Sequence, residues 1–168
     1  LYISDWEGSQ IYRLDGNGKM ISHWPTNRSE LREVSVDPKT CSVIVVYHPR
    51  EHSTGGVISY IQEYSSAGSP GPLIKLNLRT EAWDAVRVSD NHYAASYGRL
   101  TDPYYGRVIL FNSTGDRYTR DGGYLEAGSN YMRHPISLAV SEAGFVIAAD
   151  KTFVDTARAF LGRVVMLD

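Results

Sequence analysis

A short apolar strand recurs at an interval of 52 residues, and this repeat constrains the fold more than any other feature of the chain. Val34-Ser35-Val36-Asp37 is followed by Val86-Arg87-Val88-Ser89 and then by Leu138-Ala139-Val140-Ser141. Self-similarity at a fixed interval is typical of architectures in which one supersecondary unit packs against the next. We therefore expect one domain over residues 1–168, built from repeated units at approximately 1–31, 32–82, 83–133 and 134–168.

Further strands follow the recurring one in each unit, and Gly- or Asn-containing turns, which tolerate positive φ, separate several of them. We predict fourteen strands, or three and a half units of four strands each. A loop at 152–161 has room for a helical turn. The second strand of the unit is predicted at 1–5, 43–47, 93–97 and 146–150, the third at 9–15, 56–61, 106–112 and 162–168, and the fourth at 20–24, 73–78 and 121–126.

Four-stranded antiparallel units at this interval predict an all-β chain with the architecture of a β-propeller. A β-sandwich is the alternative, but a sandwich does not need the same four-strand order three times. The array is incomplete, since propellers typically hold four to eight blades in a closed ring. Open strand edges promote aggregation. We therefore expect the array to be part of a larger ring, to be completed by further copies, or to be covered in an assembly.

The first fifteen residues, Leu1-Tyr2-Ile3-Ser4-Asp5-Trp6-Glu7-Gly8-Ser9-Gln10-Ile11-Tyr12-Arg13-Leu14-Asp15, resemble the NHL repeat, in which a strand ending in Asp precedes an apolar strand and a glycine turn. The stretch from His134 to Asp168 resembles a second copy, and the middle units match more loosely. The Asn-x-Arg tip of the NHL repeat is Gly8-Ser9-Gln10 here. The resemblance implies a mostly six-bladed propeller family whose members bind RNA or proteins, or act as lyases and metal-dependent hydrolases, and fold alone does not choose among these functions.

Candidate binding residues lie in the connections between the second and third strands and between units, which are longer than the opposite turns. Long loops on a rigid scaffold concentrate binding residues, and Tyr, Trp and Arg are enriched at interaction hot spots. These residues could equally pack the loops against the strands. The face as a whole favours a non-enzymatic module that binds a protein partner or further copies of itself. The candidates are Trp6, His52, Tyr104, Tyr105, Tyr131, Arg133, Arg158 and Phe160.

Two other functions remain open. An RNA-binding propeller would use Arg and aromatic side chains, but the formal charge of −2 disfavours it. A lyase or hydrolase would need an axial metal held by Asp, Asn, Glu or His from several units. The starts of the predicted inner strands carry no repeated ligand set: Arg32, Glu33, Trp83, Asp84, Pro135 and Ile136.

No catalytic, metal or cofactor site is predicted. His48 and His52 are four residues apart, but Pro49 lies between them, so we expect a solvated loop there rather than a zinc site. The nucleotide-binding and nucleophile-elbow motifs are absent from the sequence. No apolar run approaches the length of a membrane span.

The compartment is weakly indicated. Cys41 is the single cysteine, so no intrachain disulfide forms, which leans towards a reducing compartment. Sequons at Asn27 and Asn112 offset this, because both are predicted in loops and N-glycosylation accompanies secretion. We expect a secreted protein slightly ahead of a cytoplasmic one.

Overall fold

The structure, a computed structural model, describes residues 1–26, 31–48, 58–76, 81–99, 102–117, 124–125, 135–154 and 159–167. Every regular element in these ranges is a β-strand, and each strand pairs antiparallel with its sequence neighbour inside a small sheet. Four such sheets follow one another along the chain, with three, four, four and three strands. The chain is therefore all-β, and its fourteen described strands match the number predicted.

The strands fall into sheets in strict sequence order. Sheet 1 contains β1 (Tyr2–Asp5), β2 (Gln10–Leu14) and β3 (Met20–Pro25). Sheet 2 contains β4 (Leu31–Val36), β5 (Val43–Tyr47), β6 (Ser59–Tyr64) and β7 (Pro70–Leu76). Sheet 3 contains β8 (Ala82–Ser89), β9 (His92–Arg99), β10 (Asp102–Asn112) and β11 (Tyr124–Leu125). Sheet 4 contains β12 (Pro135–Val140), β13 (Val146–Val154) and β14 (Ala159–Leu167).

Three apolar joints hold the sheets face to face. Successive side chains of a strand point to opposite faces. Sheets 2 and 3 carry apolar residues on both faces, and each face packs on a different neighbouring sheet. The first strands β4, β8 and β12 lie side by side, with β8 between the other two. This arrangement is compatible with a propeller-like fold. The buried side chains of the joints between sheets 1 and 2, 2 and 3, and 3 and 4 are centred on Ile11 and Tyr47, on Ile61 and Phe111, and on Val108 and Leu138, respectively.

Polar bonds also cross the joints near the first strands. The backbone N–H of Ala82 donates to Ser59 Oγ across 2.9 Å, and its carbonyl contacts His48 Nε2. The Ser35 hydroxyl donates to the Ala85 carbonyl. The backbone N–H of Leu138 donates to Asp84 Oδ2 across 2.6 Å. Backbone groups at the edges of β8 and β12 are thus satisfied by side chains of the preceding sheet.

Two predicted loops are β-structure instead. The segment 151–161 was expected to be a long loop with a possible helical turn, but β13 and β14 continue their ladder as far as the Val154–Ala159 pair. The connection between the predicted second and third strands at 99–105 was also expected to be a long loop, but Asp102 pairs with Arg99, and the register shifts between Asp102 and Arg107. Tyr104, Tyr105 and Phe160 therefore lie in strands β10 and β14, and the prediction that they lie in loops is wrong.

The repeat is one residue out of step in β8. Val34 and Leu138 face the preceding sheet, whereas Val86 faces the following sheet and packs with Leu138. A register shift between Arg87 and Ser89 accounts for the difference, since one extra residue turns the strand's side chains over. Val86 therefore aligns with Val34 in sequence, but its side chain points to the opposite side of its sheet.

Candidate functional site

The candidate site lies at the end of the sheets where β4 and β8 begin, which we call the start face and define by Trp6, Arg32, Glu81 and Trp83. Trp6 reaches it from the turn between β1 and β2. Arg32 is the second residue of β4, and Trp83 is the second residue of β8. Sheets 1 and 2 therefore contribute one side chain each. Sheet 3 contributes Trp83, and Glu81 lies just before its first strand, β8.

A guanidinium between two indoles forms the centre of the start face. The Cζ atom of Arg32 lies 6.0 Å from the centroid of the Trp6 ring and 5.7 Å from that of Trp83. Both distances are within the range of cation–π attraction. The outer indole, Trp6, is 51% exposed, so one of its surfaces is open to a partner. The stack thus presents a large aromatic surface fixed by a cation behind it.

Two N–H donors in this stack have no acceptor among the described residues. They are Nε of Arg32 and Nε1 of Trp83, and both atoms are buried. Glu81 lies 3.9 Å from the other end of the guanidinium, at Nη2, which leaves Nε without the carboxylate. Buried donors are normally hydrogen-bonded, so these two N–H groups are exceptions within the stack.

Each of the two strand residues of the stack is followed in sequence by a carboxyl group, Glu33 after Arg32 and Asp84 after Trp83. Burial raises the pKa of Glu33, the residue after Arg32. Asp84 follows Trp83 and is almost fully buried; its burial, and to a smaller extent the charge of Glu33, raise its pKa to about 7. Bonds donated by the backbone N–H groups of Leu138 and Ala85 and by the Ser137 hydroxyl oppose the rise. Asp84 is consequently a tie between sheets 3 and 4 that is partly protonated at neutral pH.

The structure describes few of the predicted binding side chains. Trp6 is the one candidate whose side chain is described, and it lies on the start face. Tyr104, Tyr105 and Phe160 are placed only by their strands. Arg32 and Trp83 were predicted at strand starts and considered only as metal ligands, so their stacking with Trp6 was not predicted. His52, Tyr131, Arg133, Arg158 and the sequon residue Asn27 lie outside the described residues.

Two further expectations can be placed. His48 was expected in a solvated loop, but it is buried at the end of β5 and contacts the Ala82 carbonyl, so that expectation is wrong. Asn112 ends β10, and its Oδ1 accepts bonds from the backbone N–H groups of Thr114 and Asp116, at 3.0 and 2.9 Å. These bonds use only the amide oxygen, and glycosylation at its nitrogen stays a prediction.

The described residues offer neither a metal-ligand group nor a helix that could span a membrane. Within the described ranges, no three His, Cys, Asp or Glu side chains group as potential metal ligands. In the same ranges, no helix has the length and apolar character needed to cross a membrane.

Comparison with known proteins gives a fold and no function. No family model matches the sequence, and no curated protein matches it. The chain is similar to the crystal structure of a protein of unknown function from Bacteroides caccae, with a TM-score of 0.55 and 13% sequence identity. The match covers 96% of this chain and 54% of that one, so this chain spans about half the length of its structural neighbour.

Proposed function

We propose that this chain is part of an NHL-like β-propeller that acts as a non-enzymatic binding module and holds a protein partner on its start face. The observation that carries the proposal is the stack of Trp6, Arg32 and Trp83. The consecutive small sheets, and the first strands β4, β8 and β12 lying side by side, support the propeller assignment. Ligand sites on such scaffolds belong to the strand ends and their connections.

The stack has the chemistry of an interaction hot spot. Trp and Arg are the side chains whose truncation most often weakens protein–protein binding. Here the cation–π contacts hold Trp6 in place before binding, which lowers the entropy lost on association. The free surface of Trp6 would pack on an apolar side chain of the partner.

Charge favours a protein over RNA as the partner. A nucleic-acid face gains affinity by neutralising phosphates with several Lys or Arg residues. In the described part of the start face, Arg32 is instead the one cationic side chain, and its guanidinium lies 3.9 Å from the carboxylate of Glu81. A carboxylate beside a single cation disfavours phosphate, although Trp6 alone would suit base stacking.

Trp6→Ala and Arg32→Ala are expected to abolish partner binding, because they remove the exposed indole and the cation that holds it. The chain would be immobilised, and proteins retained from an extract of its source organism would be quantified by mass spectrometry. At least one protein should fall by about tenfold or more with either variant, the loss expected from truncating a hot spot. Phe145→Ala, an aromatic of similar exposure in the turn after β12 at the opposite end of sheet 4, is the matched control and should retain it.

The RNA alternative is tested with labelled single-stranded homopolymers at low salt, where phosphate contacts are strongest. We expect no binding that depends on Trp6. RNA binding by the unaltered chain that is lost in Trp6→Ala would overturn the choice of a protein partner.

In the extract experiment, equal retention of every protein by the Trp6→Ala variant and the unaltered chain, with unchanged circular dichroism, would show that the stack is not the binding site.

A further inference from the structure

The turn between β2 and β3 contains the pair Asn17-Gly18, which has no part in the proposed binding site. Residues 16–19 are exposed. Asn is a chemically labile residue, and Gly has no side chain to hinder an attack on the Asn that precedes it. At every other Asn of the sequence the next residue carries a side chain: Arg28, Leu78, His92, Ser113 and Tyr131.

Four turns of the chain share one geometry, which shows how firmly Gly18 is held. They span residues 15–19, 65–69, 112–116 and 141–145, and in each a Gly with positive φ donates its N–H to the carbonyl of the first residue. The N···O distance is 3.2 Å for Gly18 and 2.9 to 3.0 Å for the other three. A distance of this length is at the upper limit for an N–H···O bond. Nothing lies within 4 Å of the place where a Cβ would stand on Gly18, so its nitrogen is both weakly held and unobstructed.

The two Asn residues in these turns occupy different positions. Asn112 is the first residue of its turn, and its side-chain oxygen accepts bonds from two backbone N–H groups of that turn. In the turn before β3 this role belongs to Asp15, whose Oδ1 accepts from the N–H groups of Asn17 and Lys19, both at 2.9 Å. The amide side chain of Asn17 makes no hydrogen bond to the described residues. It can therefore rotate until its Cγ faces the nitrogen of Gly18.

We infer that Asn17 is a site of spontaneous deamidation in the folded chain. The backbone nitrogen of Gly18 loses its proton to a base in the solvent and forms a bond to Cγ of Asn17. The Cγ–Nδ2 bond breaks, and the amide nitrogen takes up a proton and leaves as ammonia. Water then opens the cyclic imide. Opening at Cγ gives aspartate, and opening at the main-chain carbonyl carbon gives isoaspartate, in which the main chain runs through Cγ.

The turn has to open for this attack, because in the closed turn the Gly18 nitrogen donates to the Asp15 carbonyl. Opening disturbs only the few bonds within an exposed turn, and such segments open at a small free-energy cost. The product carries a second carboxylate two residues from Asp15, and isoaspartate lengthens the turn by one methylene. Trp6 lies beyond the opposite end of β2, so this inference is independent of the proposed binding site.

Ageing of the folded chain tests the inference. The chain would be kept at mildly acidic and at mildly alkaline pH, and its charge variants would be separated by anion exchange. We expect a form with one more negative charge, and it should accumulate faster at alkaline pH because the Gly18 nitrogen must lose its proton. Peptide mass spectrometry should place the change at position 17. A protein isoaspartate methyltransferase should label part of this product.

Two variants separate Asn17 from the other Asn residues. Asn17→Gln should not give the acidic form, because the longer side chain would have to close a larger and less favourable ring. Asn112→Gln makes the same change in a turn of the same geometry. It is the matched control and should age like the unaltered chain.

Ageing the chain unfolded in urea supplies the contrary outcome. If the change at position 17 appears in urea but not in the folded chain over the same time, or in neither, the inference is wrong, and in the first case the folded turn protects Asn17. An acidic form of the folded chain that arises first at another Asn would contradict the inference equally.

Discussion

Replacing Gly115 by Ala is expected to destabilise the chain by about 3 kcal/mol or more, the range of severe backbone clashes and strain. Gly115 lies in the turn after β10 with a φ of +85°. A Cβ atom there would stand 1.9 Å from the carbonyl oxygen of Lys75 in β7 of sheet 2. Backbone cannot yield as a flexible side chain does, so the turn would have to leave the neighbouring sheet.

Gly18→Ala is the matched control, because Gly18 has nearly the same φ, +81°, with nothing within 4 Å of the added Cβ. It should cost only the left-handed backbone penalty of roughly 1–2 kcal/mol. Urea denaturation at one fixed protein concentration measures both. Equal losses in the two variants would mean that the contact between Gly115 and Lys75 does not restrict the turn.

Replacing Asp84 by Asn is expected to remove a large pH dependence of stability. Burial raises the pKa of Asp84 in the folded chain to about 7, above the ordinary value of 3.8 that applies after unfolding. Between these values the unfolded chain releases the proton and the folded chain keeps it, so this group lowers stability as the pH rises from about 4 to 7. A pKa raised from 3.8 to about 7 corresponds to at most about 4 kcal/mol of unfolding free energy.

The measurement compares unfolding free energies of Asp84→Asn and the unaltered chain at pH 4 and pH 8. Asn keeps an oxygen for the Leu138 N–H, so the difference between the two proteins should move in favour of Asn as the pH rises. Asp90→Asn serves as the control. It removes the same charge from a fully exposed side chain in the turn between β8 and β9. A difference that is constant with pH would show that Asp84 ionises in the folded chain as readily as in the unfolded one.

The repeat in the sequence was enough to predict the number of strands and their antiparallel order. Apolar runs and glycine turns are local signals: β5 is an unbroken apolar run at the predicted 43–47, and β2 precedes a glycine turn. The side of sheet 3 to which each β8 residue points could not be predicted, because no distinctive residue in the sequence marks the bulge between Arg87 and Ser89. Residues of β4 and β8 that align in sequence therefore lie on opposite sides of sheets 2 and 3.

The candidate site was harder to predict than the strands. Trp6 was selected for its residue type and position, but Arg32 and Trp83 are 51 residues apart and meet only because β4 and β8 start at the same end of adjacent sheets. The ladder from Lys151 to Val154 was missed for a different reason. Thr152, Phe153 and Val154 have high strand propensity, but a long connection was expected there, and the pairing with 159–162 shows that they continue β13.

The bonds that cross from one sheet to the next should also be visible in amide hydrogen exchange. The N–H of Leu138 belongs to sheet 4, yet its acceptor is the carboxyl of Asp84 in sheet 3; the N–H of Ala82 in sheet 3 likewise depends on Ser59 in sheet 2. Each amide is protected only while the preceding sheet stays in place. The exchange rates of these two backbone protons therefore report the separation of neighbouring sheets, and not the fraying of the strands that carry them.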